Sequence, residues 1–405
     1  MARARNPARP SPNRGLVLTA GGARGAYQAG VLKRIAELPS LRGKTAPFSI
    51  ITGASAGAIN GAALASYHAD FTEAADKLAN LWAQLTANDV YRNDIVSLAR
   101  TGKNLMLDML LGRLSRDSRT HSLVGTAPLR HFLARHLPVD GIGRAIDSGG
   151  LHAIGVTATG YHSGKAFTFV QGRKGTPLWN KSRRVALATR LTLDHILASA
   201  AIPLVFPPVA LSVASGSTAY FGDGALRLTT PLSPAIRLGA QKIFAIGVRC
   251  HQSADSLLRS ELSESAGLVS KLKSPPLSQI CGVFMNAIFL DHLDADLDHL
   301  KRMNALVAGS KPVITKSGGS SEPMHVIEPL VVSPSADIAI IAKTLEHRMP
   351  RTLRHLLDGL GTPDAQSADL TSFLLFDKTF TSELIQLGYR DAAERIHEIE
   401  HFLLE

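Results

Sequence analysis

"FSIITGASAGAINGAALASY", residues 48–67, carries a β-branched apolar run into a turn of small residues around one serine, then into an alanine-rich stretch. Residues 48–52 read as a strand and the stretch from Ala56 to Tyr67 as a helix of small residues. The turn between them, Gly53-Ala54-Ser55-Ala56-Gly57, fits G-x-S-x-G. A nucleophile on a sharp strand-to-helix turn has strained dihedrals, and chain passes so close to it that side chains at the glycines would clash. The turn lifts the hydroxyl to the N-terminus of the following helix, where the Ala56 N–H and the helix dipole face a developing oxyanion. By composition alone such a pentapeptide arises about 0.1–0.2 times in a chain this long. Its place between strand and helix favours a nucleophile over a plain turn.

A second strand–turn–helix precedes it. "GLVLTA" (15–20) is a short strand, "GGARGAYQAG" (21–30) a glycine-rich turn, and the helix follows through "YQAGVLKRIAEL". Two such units in succession indicate a parallel α/β sheet with helices on both faces, a three-layer sandwich. A dinucleotide-binding fingerprint ending at Gly25 needs glycine at position 20, which is Ala20. The acid such a fingerprint requires about 20 residues on is also missing, with Glu37 too early and Arg42 in its place. The loop reads better as the other half of an oxyanion hole, with Arg24 bracing it or meeting a phosphate. Further strands are expected at 151–159, 165–172, 217–224 and 241–248, the last closing the core. Helical patterns fill 70–137. The expected division is a disordered basic arm over 1–14, a catalytic domain over 15–240 and a mainly helical region over 241–405. Within that last region 316–323 reads as a loop and 326–334 as a strand-like exception.

The 405 residues carry 44 Lys and Arg against 33 Asp and Glu, a net charge of +11. That excess favours phosphate-bearing partners, lipid or nucleic acid, without choosing between them. The two cysteines, Cys250 and Cys281, have neither CxxC nor metal-ligand spacing, which reads as free thiols in a reducing compartment. No apolar run approaches the ~20 residues of a membrane span. The apolar stretch after the basic arm is shorter than a signal peptide requires. A cytoplasmic protein is expected.

A serine nucleophile needs a base. Fifteen histidines are present, but none sits in an informative setting: His195 lies in a helical segment, and His292 and His299 read as solvated helix faces. "FGDGALR" (221–227) is more distinctive. Asp223 follows a strand between Gly222 and Gly224, which leave room for another loop to approach, although Asp-Gly turns are common.

Together these pieces resemble the motif set of the patatin-like phospholipase family: Gly21-Gly22-Ala23-Arg24-Gly25, then Gly53-Ala54-Ser55-Ala56-Gly57, then Asp223-Gly224-Ala225. "ASAAIPLVFPPV" (198–209) is similar to the segment before the family's aspartate. The resemblance spans about residues 15–240 and is looser beyond 250; Ala20 stands where the loop often has a further glycine. It implies a Ser55–Asp223 dyad without histidine, with Asp223 taking the Ser55 proton as an ester carbonyl is attacked. It implies an oxyanion hole from the N–H groups of Gly21, Gly22, Ala23, Arg24 and Gly25 with Ala56, motif glycines at Gly53, Gly57 and Gly224, and no metal or cofactor. The substrate class it implies is acyl esters of lipids.

Residues 100–119 carry an apolar stripe flanked by Lys103, Arg113, Arg116 and Arg119, which suits peripheral contact with an anionic membrane, although such stripes are more often ordinary core faces. Three other readings compete: a Ser-His-Asp esterase of the α/β-hydrolase type, a basic nucleic-acid or membrane module, and a scaffold without activity. The nucleic-acid reading rests on charge alone, since only 5% of residues are aromatic and no nucleic-acid motif occurs. The motif residues are all present, which disfavours an inactive scaffold. Head-group preference and oligomeric state are not legible.

Overall fold

The computed structural model describes residues 13–90, 127–203, 205–213, 216–250, 277–289, 292–309, 324–351, 353–354 and 368–405. The basic arm up to residue 12, the stripe at 100–119 and the loop at 316–323 lie outside them.

Among the described residues nine strands form one sheet. They are β1 (Arg14–Leu18), β2 (Ile50–Ala54), β3 (Ala153–Gly160), β4 (Lys165–Gly172), β5 (Arg184–Ala188), β6 (Val209–Ser212), β7 (Thr218–Asp223), β8 (Lys242–Ile246) and β9 (Glu328–Val332). Their order is β5-β4-β3-β2-β1-β8-β9, with β7 on β3 and β6 on β7. The centre, from β3 through β2, β1 and β8 to β9, is parallel. Antiparallel pairing appears where β4 and β7 meet β3 and where β6 meets β7. The sheet is therefore mostly parallel in its core, as two successive strand–turn–helix units require.

Side-chain alternation along the strands builds two cores. Leu16, Leu18, Ile51, Ile154, Phe244 and Ile246 join one buried cluster, while Val17, Ile50, Ala153, Ile243 and Ala245 join the other. Three helices cover the first face: α1 (Gly25–Ala36), α2 (Ala56–Ser66) and α3 (Phe71–Gln84). Every residue of α2 is buried, which its alanines and glycines permit, because a helix apolar on all sides must be enclosed on all sides. The second face packs against Leu232 and Ala235 and against Leu293 and Leu300 of the helix His292–Gly309. The result is the three-layer α/β architecture expected from the sequence.

The sheet does not stop at β8, the last core strand expected. β9 pairs with β8 from Lys242↔Glu328 to Ile246↔Val332, and Leu330 and Val332 are buried. Eighty-one residues separate the ends of these two strands, so local patterning left 326–334 as an isolated run that only packing could join to the sheet. β5 and β6 were not expected at all. Both are four- or five-residue strands with one buried position each, the rest intermediate or exposed.

The C-terminal helices pack on the first face. A β-carbon on Gly30 would stand 1.9 Å from the Ile385 carbonyl oxygen, and one on Gly388 would stand 2.2 Å from that of Tyr27. α1 and the helix Lys378–Glu394 thus cross with their backbones in contact, and Tyr27 Oη donates to Asp391 Oδ2 at 2.9 Å beside the crossing.

Candidate active site

β3 carries the site. Over its first five residues it pairs with β2, ending at Ala54↔Thr157. Its next residues pair on the same side with β7, beginning at Ala158↔Asp223. β2 runs with β3 and β7 against it, so the two strands meet end to end. The residue leaving β2 is Ser55, and the last residue of β7 is Asp223. Their side chains meet: Ser55 Oγ donates to Asp223 Oδ2 at 2.6 Å, across 168 positions of sequence.

The turn at Ser55 is strained. Its φ of 56° is the one positive value among the described non-glycine residues, a conformation costing about 1–3 kcal/mol that must be held by its surroundings. The flanking glycines explain how it is held. A β-carbon on Gly57 would sit 2.1 Å from the Leu18 carbonyl oxygen, and one on Gly53 would sit 2.3 Å from that of Gly57. Backbone occupies the space on both sides of the serine. The Ser55 N–H donates to Ser199 Oγ at 3.0 Å, and Ser199 Oγ donates onward to the Thr157 carbonyl at 2.5 Å.

Asp223 is held as tightly. Its N–H donates to the Ala201 carbonyl at 2.9 Å, and its carbonyl accepts from Thr159 Oγ1 at 2.7 Å. The second carboxylate oxygen accepts from the Ala225 N–H at 2.9 Å. Ser55 is 1% exposed and Asp223 0%. Burial pushes the carboxyl up to about 7, the bonds from Ser55 and Ala225 pulling the other way. A carboxylate in a dry site is a stronger base than one in water, because the protein disfavours its charge. Geometry and basicity together equip this pair for proton transfer from an attacking hydroxyl.

The glycine loop lies alongside. A β-carbon on Gly25 would meet Ala56 Cβ at 2.6 Å, so the end of the loop touches the start of α2. Gly21 precedes a short 3-10 turn over Gly22–Arg24. Inside it the Arg24 N–H donates to the Gly21 carbonyl, and the Gly25 N–H to carbonyls of Gly22 and Ala23. The Arg24 side chain packs toward the C-terminal segment. It is buried, donates from Nε to Ser372 Oγ at 2.7 Å, and stacks on Phe373 with 4.6 Å to the ring centre. These contacts tie the loop to Ser372 and Phe373. A buried network pins the same region: Asn60 Nδ2 donates to the Gly25 carbonyl and to Gln28 Oε1, each at 2.9 Å, and Trp82 Nε1 donates to Asn60 Oδ1 at 2.7 Å.

Among the described residues no histidine hydrogen-bonds to Ser55 or Asp223. His195 instead completes a capping box with Thr192 at the start of the helix Leu193–Ser199, and its ring packs edge-on against Phe169.

A family model described as patatin-like phospholipase matches residues 16–236, more than half of the chain. The chain belongs to the patatin-like phospholipase family. It is thereby a member of a family of lipid hydrolases. A search of curated proteins finds no match. Among solved structures, VipD from Legionella pneumophila is similar over 96% of this chain and 67% of its own, at 13% identity and a TM-score of 0.33. Human GIVD cytosolic phospholipase A2 is similar over 97% of this chain and 60% of its own, at 12% identity and a TM-score of 0.43. The chain therefore spans about two thirds of the first protein's length and three fifths of the second's.

Sequence reasoning missed the residues that support the pair. Thr157 and Thr159 sit on the template strand, and Ser199 lies in the segment singled out only for its family likeness. Tyr161 lies beside them. It is 41% exposed, a β-carbon on Gly222 would stand 2.2 Å from its hydroxyl oxygen, and burial followed by the Asp223 charge pushes its phenol up. A tyrosine after a strand is common, and nothing local distinguishes this one. Among the described residues no helix is long and apolar enough to cross a membrane.

Proposed function

We propose that the protein is a serine acyl hydrolase acting on lipid esters through a Ser55–Asp223 dyad. The observation that carries this reading is the 2.6 Å bond from Ser55 Oγ to a fully buried Asp223 carboxylate. Asp223 takes the proton as Oγ attacks the ester carbonyl, and the alcohol leaves with it. A water deprotonated by the same carboxylate then hydrolyses the acyl-serine. The N–H groups of Arg24 and Gly25 already bond within the loop. That narrows the oxyanion donors to Gly21, Gly22, Ala23 and Ala56, each such donor contributing about 10²–10³ in rate.

A small cavity of about 40 Å³ lies beside Gly53, Ala54 and Ala225, the neighbours of the two reacting residues, with Leu228, Phe289 and Leu293 in its largely apolar wall, where an apolar substituent of the ester would meet the protein. The test is hydrolysis of a p-nitrophenyl ester by wild type and Ser55→Ala, together with mass-spectrometric mapping of an alkyl fluorophosphonate adduct. Loss of turnover and an adduct on Ser55 support the reading. Full activity of Ser55→Ala, or an adduct elsewhere, overturns it.

A further inference from the structure

A second concave site opens beside edge strand β5, level with the C-terminal end of β3. Lys181 and Arg184 close a tight turn, with backbone bonds of 2.8 and 3.3 Å in the two directions, and Ser182 and Arg183 form its tip. Facing them are Arg227 and Thr229, four and six residues past Asp223. These six residues line an open cleft of about 230 Å³. Its lining holds four cations and two hydroxyls, with no carboxylate and no apolar side chain.

The cleft is built rather than incidental. Arg184 donates to Thr230 Oγ1 and, at 3.1 Å, to Ser233 Oγ, fastening the turn to the segment after Asp223. Arg227 Nε donates to the Gly164 carbonyl at 2.6 Å, which holds its guanidinium against the β3–β4 turn. Lys181, Arg183 and Arg227 are exposed, and none of them forms an ion pair among the described residues. Like charges gathered in a concavity without acids repel one another and focus positive potential, and a bound anion relieves both. Guanidinium forks and hydroxyls are the groups that match phosphate oxygens.

Its position relates it to Ser55. Asp223 on β7 pairs with Ala158 on β3, Ala158 with Phe167 on β4, and Phe167 with Val185 on β5. Three strand spacings of about 4.8 Å put the far wall roughly 14 Å from Asp223. The near wall is closer: the 3-10 turn Gly224–Leu226 rises about 2 Å per residue, leaving Arg227 within roughly 10 Å. A lipid whose phosphate is separated from its ester by a glycerol unit spans from the near wall toward the serine. Nucleic acid fits less well, since single strands bind on aromatic platforms and the lining has none.

The geometry points to a binding site for the phosphate-bearing head group of an anionic phospholipid, held in this cleft while its acyl ester reaches Ser55. This rests on the serine hydrolase reading above and adds a substrate preference to it.

Vesicle sedimentation of the Ser55→Ala protein tests it without turnover, using phosphatidylcholine alone and phosphatidylcholine with phosphatidylglycerol at about 0.15 M salt. The mixed vesicles are expected to bind more tightly. Adding Lys181→Ala and Arg183→Ala should weaken that binding about 30-fold, roughly fivefold per cation removed, and Arg183→Glu alone should also weaken it. The control pair Arg42→Ala and Lys44→Ala, exposed in the loop that enters the N-terminal end of β2, should change it less than about twofold. Equal losses in both pairs, or none in either, overturn the proposal. So does cleft-dependent binding of inorganic phosphate without cleft-dependent vesicle binding, or tighter cleft-dependent binding of a duplex oligonucleotide. Because binding is read without chemistry, the two readings fail separately. Cleft-independent vesicle binding by a protein that needs Ser55 for hydrolysis overturns this site alone. Cleft-dependent binding by a protein whose hydrolysis survives Ser55→Ala overturns the serine mechanism.

Discussion

Ala54 and Asp223 bond to consecutive residues of one strand: Ala54 pairs with Thr157 and Asp223 with Ala158. β2 and β7 therefore abut on β3, and the residue after Ala54 is forced beside the Asp223 carboxylate. The proximity of hydroxyl and carboxylate is a consequence of register. A one-residue slip of β7 would turn Asp223 to the other face of the sheet and break the pair.

Hydrolysis should depend on one protonation near neutrality. With the Asp223 carboxyl pushed up to about 7, the base is protonated and idle below that pH, so kcat/KM should climb through about pH 7 and level off above it. A pH–rate profile with a p-nitrophenyl ester reads this directly. A flat profile between pH 5 and 8 would mean that Asp223 is not the group that takes the proton.

The same group makes stability fall as pH rises. Its folded pKa lies above its unfolded value, so the folded state holds the extra proton between about pH 4 and 7, and that stabilisation is lost as pH climbs through 7. Asp223→Asn cannot ionise. It should match wild type near pH 4.5 and exceed it at pH 8 by a few kcal/mol in urea unfolding, while its ester hydrolysis falls about as far as that of Ser55→Ala, with no further loss in the double variant. An Asn variant less stable than wild type at pH 8 would count against a buried, costly carboxylate.

Ser199→Ala removes the acceptor for the Ser55 N–H and leaves a buried donor unpaired in a strained turn. The expected cost is about 1–3 kcal/mol, together with a drop in kcat larger than the change in KM, because the nucleophile loses its positioning. Ser199→Thr, which restores a hydroxyl, should recover part of the rate. Denaturant melts and steady-state kinetics on the two variants separate this from a packing effect.

His195→Gln keeps an N3 acceptor for the capping box, and hydrolysis should stay within about threefold of wild type, a shift too small for loss of a general base. Abolished turnover in a folded His195→Gln protein would favour a Ser-His-Asp mechanism.

Gly30→Ala probes the C-terminal helices without touching the site. The new methyl would stand 1.9 Å from the Ile385 carbonyl oxygen, so α1 and the helix Lys378–Glu394 must separate, at a cost of about 1–3 kcal/mol or more. Unfolding measured by circular dichroism should show that loss.

Much of the central architecture was legible in order. The β2–Ser55–α2 unit is encoded by adjacent residues: an apolar strand, glycines where backbone passes, and alanines where a helix is enclosed on all sides. The glycine loop announces itself in the same local way, through residue types that only certain backbones require, whereas an Asp-Gly turn is too common to do so alone. Local chemistry named Ser55 and the loop and suggested a parallel sheet, while Asp223 as the base came from the resemblance of the three motifs together to the patatin-like phospholipase family. What stood beside what was decided elsewhere. β9 joins a sheet from whose previous strand 81 residues separate it, Thr157, Thr159 and Ser199 lock the site from ordinary-looking segments, and the cations at 181–184 face Arg227 only because β5 docks three strands from β7. Pairing over such separations is chosen by which packing buries both faces of the whole sheet, and no short window of sequence contains that information. The sequence by itself determined which groups could react, and the tertiary structure determined that a serine and an aspartate 168 positions apart share one hydrogen bond, because β3 offers adjacent places to the two strands that carry them.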